Sequence, residues 1–255
     1  MANEVTTRRV LYEIPGMKSA TVRQAEFRGA DGEALPMAIY SPTFPVADPP
    51  PAVVIVEGYA DPGFSRLFGC RFMEMQWSIS MAQLLAASGM AAITYANREP
   101  VADASAILDH VRTRADAVGA DPERIGLWAT SGHGPVALFA LGRAECAVLS
   151  NPFTFDYDGA THVAEAAKMF RFAVPSMATL PAGKPIFVVR SGKDEMPGLN
   201  QSLDRFAMLA LSANHPITLV NHPDAPHSYD LYHDSAETRA ILRQALAFLR
   251  DQLHT

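Results

Sequence analysis

From residue 52 onward the chain alternates between short, mostly apolar runs and longer stretches whose apolar residues recur every three or four positions. AVVIV (52–56), MAAITYA (90–96), RIGLWA (124–129), CAVLS (146–150), PIFVV (185–189) and ITLV (217–220) have the length and branched or aromatic content of strands buried on both faces. Between them, Trp77, Met81, Leu84 and Leu85 fall at helical spacing, and Gly89 closes that helix. Ala104, Ile107, Leu108, Val111 and Ala115 mark a second helix, 135–141 a third, and Leu203, Phe206, Ala207 and Ala210 a fourth. Leu242, Ala245, Leu246, Leu249 and Leu253 give a final amphipathic helix. Strands that alternate with helices predict a mostly parallel sheet covered by helices on both faces.

Upstream, ATVRQAEFR (20–28) and LPMAIYS (35–41) read as a hairpin about Asp31-Gly32, an antiparallel edge on that sheet. The expected architecture is a single α/β domain over 1–255 with about eight strands. The proline-rich stretch 41–51 is a loop between strands. The interruption at 151–184 is too short for a separate lid domain. The most nearly apolar stretch, 81–95, is broken by Ser88-Gly89 and too short to span a bilayer, so no membrane partner is expected.

Composition narrows the function classes. Of 255 residues, 49% are hydrophobic and 19% charged, as in a soluble globule with a substantial core. A formal net charge of −6 argues against nucleic acid, whose phosphates need a basic face. Two cysteines, Cys70 and Cys146, make no disulfide framework, and no apolar segment follows Arg8-Arg9 as a signal peptide would require. A cytoplasmic location is the expectation, and a homodimer is left open.

In open α/β sheets the chemistry gathers beyond the carboxyl ends of the strands. Past AVVIV come Glu57, Gly58 and Tyr59; past MAAITYA, Asn97 and Arg98; past RIGLWA, Thr130-Ser131-Gly132. Past PIFVV come Ser191, Lys193, Asp194 and Glu195, and past ITLV come His222 and His227. A serine, an acid and a histidine thus follow different strands, in that order along the chain. A serine hydroxyl is a poor nucleophile until a base takes its proton. Imidazole can take it near neutral pH, and a carboxylate holds the imidazole in the required tautomer. His222 and His227 lie five apart in a loop with no cysteine nearby, which is poor evidence for zinc; neither metal nor organic cofactor is expected.

The motifs VIVEGY (54–59), WATSGHG (128–134), VVRSGKDE (188–195) and APHSYD (225–230) resemble those of the α/β-hydrolase superfamily, and are most similar to its dienelactone hydrolase-like branch. The resemblance spans roughly 50–253. It implies an α/β-hydrolase fold, with Ser131 as nucleophile, Asp194 as acid and His227 as base. It also implies an oxyanion hole made by the backbone N–H of Gly132 and one from the Gly58-Tyr59 loop, with Tyr59 as the second residue. Two departures stand out. The branch usually carries Cys where this chain has Ser131, and Ala129 and His133 replace the glycines of the usual G-x-S-x-G elbow. Glu57 matches an acidic residue the branch keeps beside its nucleophile; a solvated loop carboxylate is the alternative. The implied reaction is hydrolysis of a small carboxylic ester or lactone through an acyl-enzyme. A peptidase, an acyltransferase, or a binding protein that kept the fold without turnover are the alternatives.

For substrate contacts, Phe153 and Phe155 (with Tyr157) form one aromatic cluster, and Tyr59, Phe64 and Phe68 another. Arg98 is a candidate for a substrate carboxylate, with a surface salt bridge as its alternative. His133 follows Ser131 by only two residues, so its side chain is not expected to reach the serine. The expectation is that it turns outward or caps the helix, while Gly134 takes over the close-packing duty of the missing glycine.

Overall fold

The computed structural model describes residues 4–46, 49–176 and 179–253. Parts of the 41–51 loop, of the 151–184 interruption and of the N-terminus lie outside them. Eight strands, β1 (Val22–Arg28), β2 (Ala34–Tyr40), β3 (Ala52–Ile55), β4 (Ala91–Tyr95), β5 (Ile125–Thr130), β6 (Cys146–Ser150), β7 (Ile186–Ser191) and β8 (Ile217–His222), form one sheet in the order β1-β2-β4-β3-β5-β6-β7-β8. β2 runs antiparallel to both its neighbours, and every other pairing is parallel. The upstream hairpin is therefore present as the expected antiparallel edge. It turns at Gly32, whose φ of 84° suits a residue without a Cβ.

Among the described residues ten α-helices precede, connect or follow the strands: α1 (Glu4–Thr7), α2 (Asp61–Phe68), α3 (Gln76–Ala87), α4 (Pro100–Thr113), α5 (Ala115–Val118), α6 (Gly134–Ala140), α7 (Val163–Phe170), α8 (Leu199–Ser212), α9 (Tyr229–Tyr232) and α10 (Ala236–Leu253). The strand pleat sends alternate residues to opposite layers. Val53, Ile55, Trp128, Val148 and Val189 pack with Leu84, Leu85, Leu242 and Leu249 of α3 and α10. Val54, Leu127, Leu149 and Val188 pack with Ile107, Leu108, Val136 and Leu203 of α4, α6 and α8 on the other face. Both faces being covered explains why these strands read as unbroken apolar runs.

ITLV departs from that expectation. β8 is an edge strand, so Thr218 and Leu219 are exposed rather than buried on both faces. The helices α2 and α7 were not anticipated. Each is only eight residues long, short enough for tertiary packing rather than periodicity to decide its state. α2 carries Phe64, Leu67 and Phe68, and α7 carries Met169 and Phe170; both flank the carboxyl ends of the central strands. Among the described residues no helix is long and apolar enough to cross a membrane. Cys70 and Cys146 are both free thiols.

Candidate active site

β5 ends at Thr130, and the chain reverses through Ser131 in the left-handed region, at φ 48°. A β-substituted residue held there stores strain, and it presents the serine at the tip of a sharp strand-to-helix turn. One 3₁₀ turn, Ser131–His133, leads into α6. The elbow lacks its usual glycines, yet the close approach remains. A Cβ on Gly134 would overlap the carbonyl of Phe153 and come within 2.8 Å of the Pro152 Cβ.

Ser131 Oγ lies 2.9 Å from His227 Nε2. His227 belongs to the loop between β8 and α9, where Ser228 at φ 53° turns the chain. On its other side, His227 Nδ1 is 2.7 Å from Asp194 Oδ2. The Asp194 side chain is fully buried, and its second oxygen accepts the Met196 N–H at 3.0 Å. Both loops are tied together. The Gly192 N–H donates to the His222 carbonyl, and the Lys193 N–H to that of Ala225, each at 2.8 Å. A Cβ on Gly192 would sit 2.7 Å from the Pro223 Cα, so the loops approach backbone to backbone. The structure thus brings together the three residues singled out as nucleophile, acid and base. A hydroxyl, an imidazole and a buried carboxylate in a hydrogen-bonded row can move a proton off the hydroxyl and hold the imidazolium that results.

Sequence reasoning missed Asn151. It follows β6 directly, is fully buried at φ 38°, and its Nδ2 lies 3.5 Å from His227 Nδ1. Its signal was the same as for the other site residues, a polar residue just past the carboxyl end of a strand.

The Gly58-Tyr59 loop faces the elbow. A Cβ on Gly58 would lie 2.5 Å from the Gly132 carbonyl and 2.8 Å from the His133 Cα, so the two segments touch along their backbones. His133 does not turn outward and does not cap α6 with its side chain. It is 4% exposed, stacks on Phe72 with ring centroids 4.0 Å apart, and its Nδ1 accepts the Gly58 N–H at 2.8 Å. Burial pushes its pKa down to about 3, so the ring stays neutral and remains an acceptor. The apolar aromatic surroundings reward this inward rotamer, because the imidazole buries its face while its ring nitrogen satisfies a buried amide. The Gly58 amide is therefore engaged. The Tyr59 N–H has no acceptor among the described residues. Gly132 lies in the first turn of its 3₁₀ segment, where amides have no intrahelical acceptor.

A cavity of about 490 Å³ opens over Ser131 and His227. Tyr59, Phe64 and Phe68 line it, as does a set that sequence alone did not gather: Phe72, Met75, Trp77, Met169, Phe170, Arg171, Met196 and Leu231. These come from segments far apart in the chain.

Four candidate contacts lie elsewhere. Phe153 is 1% exposed and packs on Phe172, centroids 4.8 Å apart. Phe155 is equally buried, in the core layer beneath the sheet. Neither lines the cavity, because the chain leaving β6 turns both rings into the core. Arg98 sits at the surface and pairs with Asp31 at 3.1 Å, so the salt bridge holds it. Glu57 is neither a solvated loop carboxylate nor part of the cavity wall: it is completely buried. Its carboxylate oxygens meet no partner at close hydrogen-bond geometry among the described residues, although the Asn97 and Asp61 side chains lie near enough to interact with it. Burial, with Asp61 nearby, holds its pKa well above the usual carboxylate range. Burial also pushes Asp61 up to about 6, against the Asn97 backbone N–H that stabilises its charged form. His222 is buried as well, with Nε2 3.2 Å from the Thr238 hydroxyl. Among the described residues no group of three or more His, Cys, Asp or Glu side chains is arranged to hold a metal.

No protein-family model matches the chain, and no curated protein matches it in sequence. Solved structures do match in fold. An α/β-hydrolase enzyme from the metagenome of Lake Arreo, Spain, superposes with a TM-score of 0.70 at 21% identity, covering 96% of this chain and 84% of that one. The hyperthermophilic esterase of the archaeon Pyrobaculum calidifontis gives 0.68 at 18%, covering 92% and 88%. A bacterial heroin esterase gives 0.68 at 17%, covering 96% and 88%. The fold is that of the α/β-hydrolases, with an eight-stranded, mostly parallel sheet.

Proposed function

We propose that this protein is a serine hydrolase that cleaves a small carboxylic ester or lactone through an acyl-enzyme. The observation that carries the reading is the row Ser131–His227–Asp194, with contacts of 2.9 and 2.7 Å, at the floor of an apolar cavity. The likeness of its motifs to the dienelactone hydrolase-like branch supports an ester or lactone substrate. The esterases among the structures of the same fold support it too. The two free cysteines fit a reducing compartment, and the reading includes a cytoplasmic location.

Ser131 Oγ attacks the substrate carbonyl carbon as His227 Nε2 takes the hydroxyl proton, and the carbonyl electron pair moves onto oxygen. The backbone N–H of Gly132 and a second donor from the Gly58-Tyr59 loop hold that oxyanion. His227 then gives its proton to the leaving alcohol as the C–O bond breaks, leaving Ser131 acylated. Water, deprotonated by His227, releases the acid and restores the serine. Asp194 keeps the His227 Nδ1 proton in place and stabilises the imidazolium. The cavity wall is largely aromatic and thioether, so the favoured substrates carry an apolar acyl or aryl group.

The test is a panel of p-nitrophenyl esters of increasing acyl length, with simple lactones, assayed with wild type and Ser131→Ala. The expected result is turnover by wild type, preference for apolar acyl groups, and loss of roughly 10⁴-fold or more in kcat for the variant. Equal turnover by a folded Ser131→Ala protein would overturn the reading.

A further inference from the structure

The Tyr59 side chain stands where neither the resemblance nor the three-residue row assigns it a task. Its ring is held on three sides, with centroids 5.7 Å from Phe64, 5.0 Å from His133 and 6.1 Å from Phe172. Its backbone is pinned too, since the Asn97 amide donates to the Tyr59 carbonyl at 2.9 Å. The phenol therefore has a fixed direction, and that direction is toward the elbow. A Cβ on Gly132 would overlap the Tyr59 hydroxyl oxygen, so the hydroxyl lies against the residue that follows Ser131. Tyr59 lines the same cavity as Ser131 and His227, and its hydroxyl makes no hydrogen bond to any described residue. Tyr59 is only partly buried, so the hydroxyl is open to a molecule bound in that cavity.

Resting on the hydrolase reading above, we propose that the Tyr59 hydroxyl is a catalytic hydrogen-bond donor to the oxyanion, acting beside the backbone N–H of Gly132 and in place of its own backbone N–H, which lies too far from the phenol oxygen for both to reach one acceptor. As Ser131 Oγ bonds to the carbonyl carbon, the serine proton passes to His227 Nε2 and the carbonyl π pair becomes an alkoxide lone pair. The phenol donates a hydrogen bond to that alkoxide and keeps its proton. When the intermediate collapses, the pair returns to the C=O bond, the leaving oxygen takes the proton from His227, and the phenol is unchanged. Burial raises the phenol pKa, which keeps it protonated as a donor through the cycle. His133 acts here as a positioning residue: by holding the Gly58 amide it fixes the loop that carries Tyr59.

The geometry also explains two residue choices. Gly132 must lack a side chain, because a methyl there would fill the space of the hydroxyl. His133 replaces the usual elbow glycine because its ring fills the gap between Phe72 and Tyr59.

Tyr59→Phe tests the proposal, since it keeps the ring and removes only the hydroxyl. With a p-nitrophenyl ester that wild type hydrolyses, kcat should fall about 30- to 1,000-fold while KM stays within about threefold, as for loss of one oxyanion donor. The inhibition constant of phenylboronic acid, whose tetrahedral serine adduct places an oxygen in the same site, should rise by a similar factor. Far-ultraviolet circular dichroism checks that the variant is folded. If wild type and Ser131→Ala differ as expected but Tyr59→Phe keeps kcat and boronate affinity within threefold, this proposal alone fails. If Ser131→Ala is as active as wild type, the hydrolase reading fails and takes the proposal with it.

Discussion

His133 Nδ1 accepts the backbone N–H of Gly58 at 2.8 Å, joining the elbow after β5 to the loop after β3. Each partner is buried. His133→Ala would leave that amide without an acceptor and open a gap beside Phe72. The expected loss is about 2–4 kcal/mol of stability, read by chemical denaturation. The folded fraction should still react at Ser131, because the proposed base is His227, whose Nε2 lies 2.9 Å from the serine oxygen. His227→Ala should show the opposite pattern, with stability near wild type and turnover reduced by several orders of magnitude.

The same histidine makes stability depend on pH. Its ordinary pKa of 6.5 falls to about 3 in the fold, so between those values the unfolded chain binds a proton that the native state refuses. The contribution is fully present above about pH 6.5 and is lost as pH falls through the window below it. From pH 7 to pH 5 the loss is about 2 kcal/mol. Glu57 and Asp61, both raised, work in the opposite direction, so the informative quantity is a difference. His133→Gln keeps an acceptor for Gly58 but does not titrate. It should lose about 2 kcal/mol less than wild type over that interval, and parallel stability curves for the two proteins would contradict the assignment.

Much of this molecule was readable from its sequence. The strands were visible because a sheet covered on both faces demands uninterrupted apolar runs, and Ser131, Asp194 and His227 stood out as polar residues just past three of them. What stayed hidden depended on long-range packing. The partner of His133 lies 75 residues upstream, and nothing local distinguishes an inward imidazole from an outward one. Phe155 and Phe64 look alike in sequence; one enters the core and the other the cavity because of how the chain leaves β6 and enters α2. Arg98 looked available only because Asp31, which holds it, is on the far hairpin.

Asp194, rather than its neighbour Glu195, is the expected acid. The Asp194 side chain is buried against His227, whereas Glu195 is exposed. Asp194→Asn should lower kcat by roughly 10³- to 10⁴-fold, and Glu195→Gln should change it less than about threefold. A larger effect at Glu195 would reverse the assignment.

Glu57 is expected to weaken the fold as pH rises above the ordinary carboxylate range. A carboxyl whose native pKa is raised holds its proton more tightly in the fold. The stability it confers is present below the ordinary carboxylate pKa and is lost as pH rises toward the folded value. Glu57→Gln should therefore gain stability relative to wild type as pH rises above the ordinary carboxylate range. Its esterase activity should stay within a few-fold, because Glu57 does not line the cavity. A pH-independent difference in melting temperature would show that the buried carboxyl is not strained in this way.

The central claim is that Ser131 is the nucleophile, activated by His227. The most direct measurement is intact-protein and peptide mass spectrometry after treatment with a fluorophosphonate, followed in parallel with ester turnover. One adduct per chain, mapped to Ser131, should appear at the rate at which activity is lost, and His227→Ala should slow its formation by orders of magnitude. An adduct on another residue, or full turnover by protein whose Ser131 is completely modified, would contradict the account.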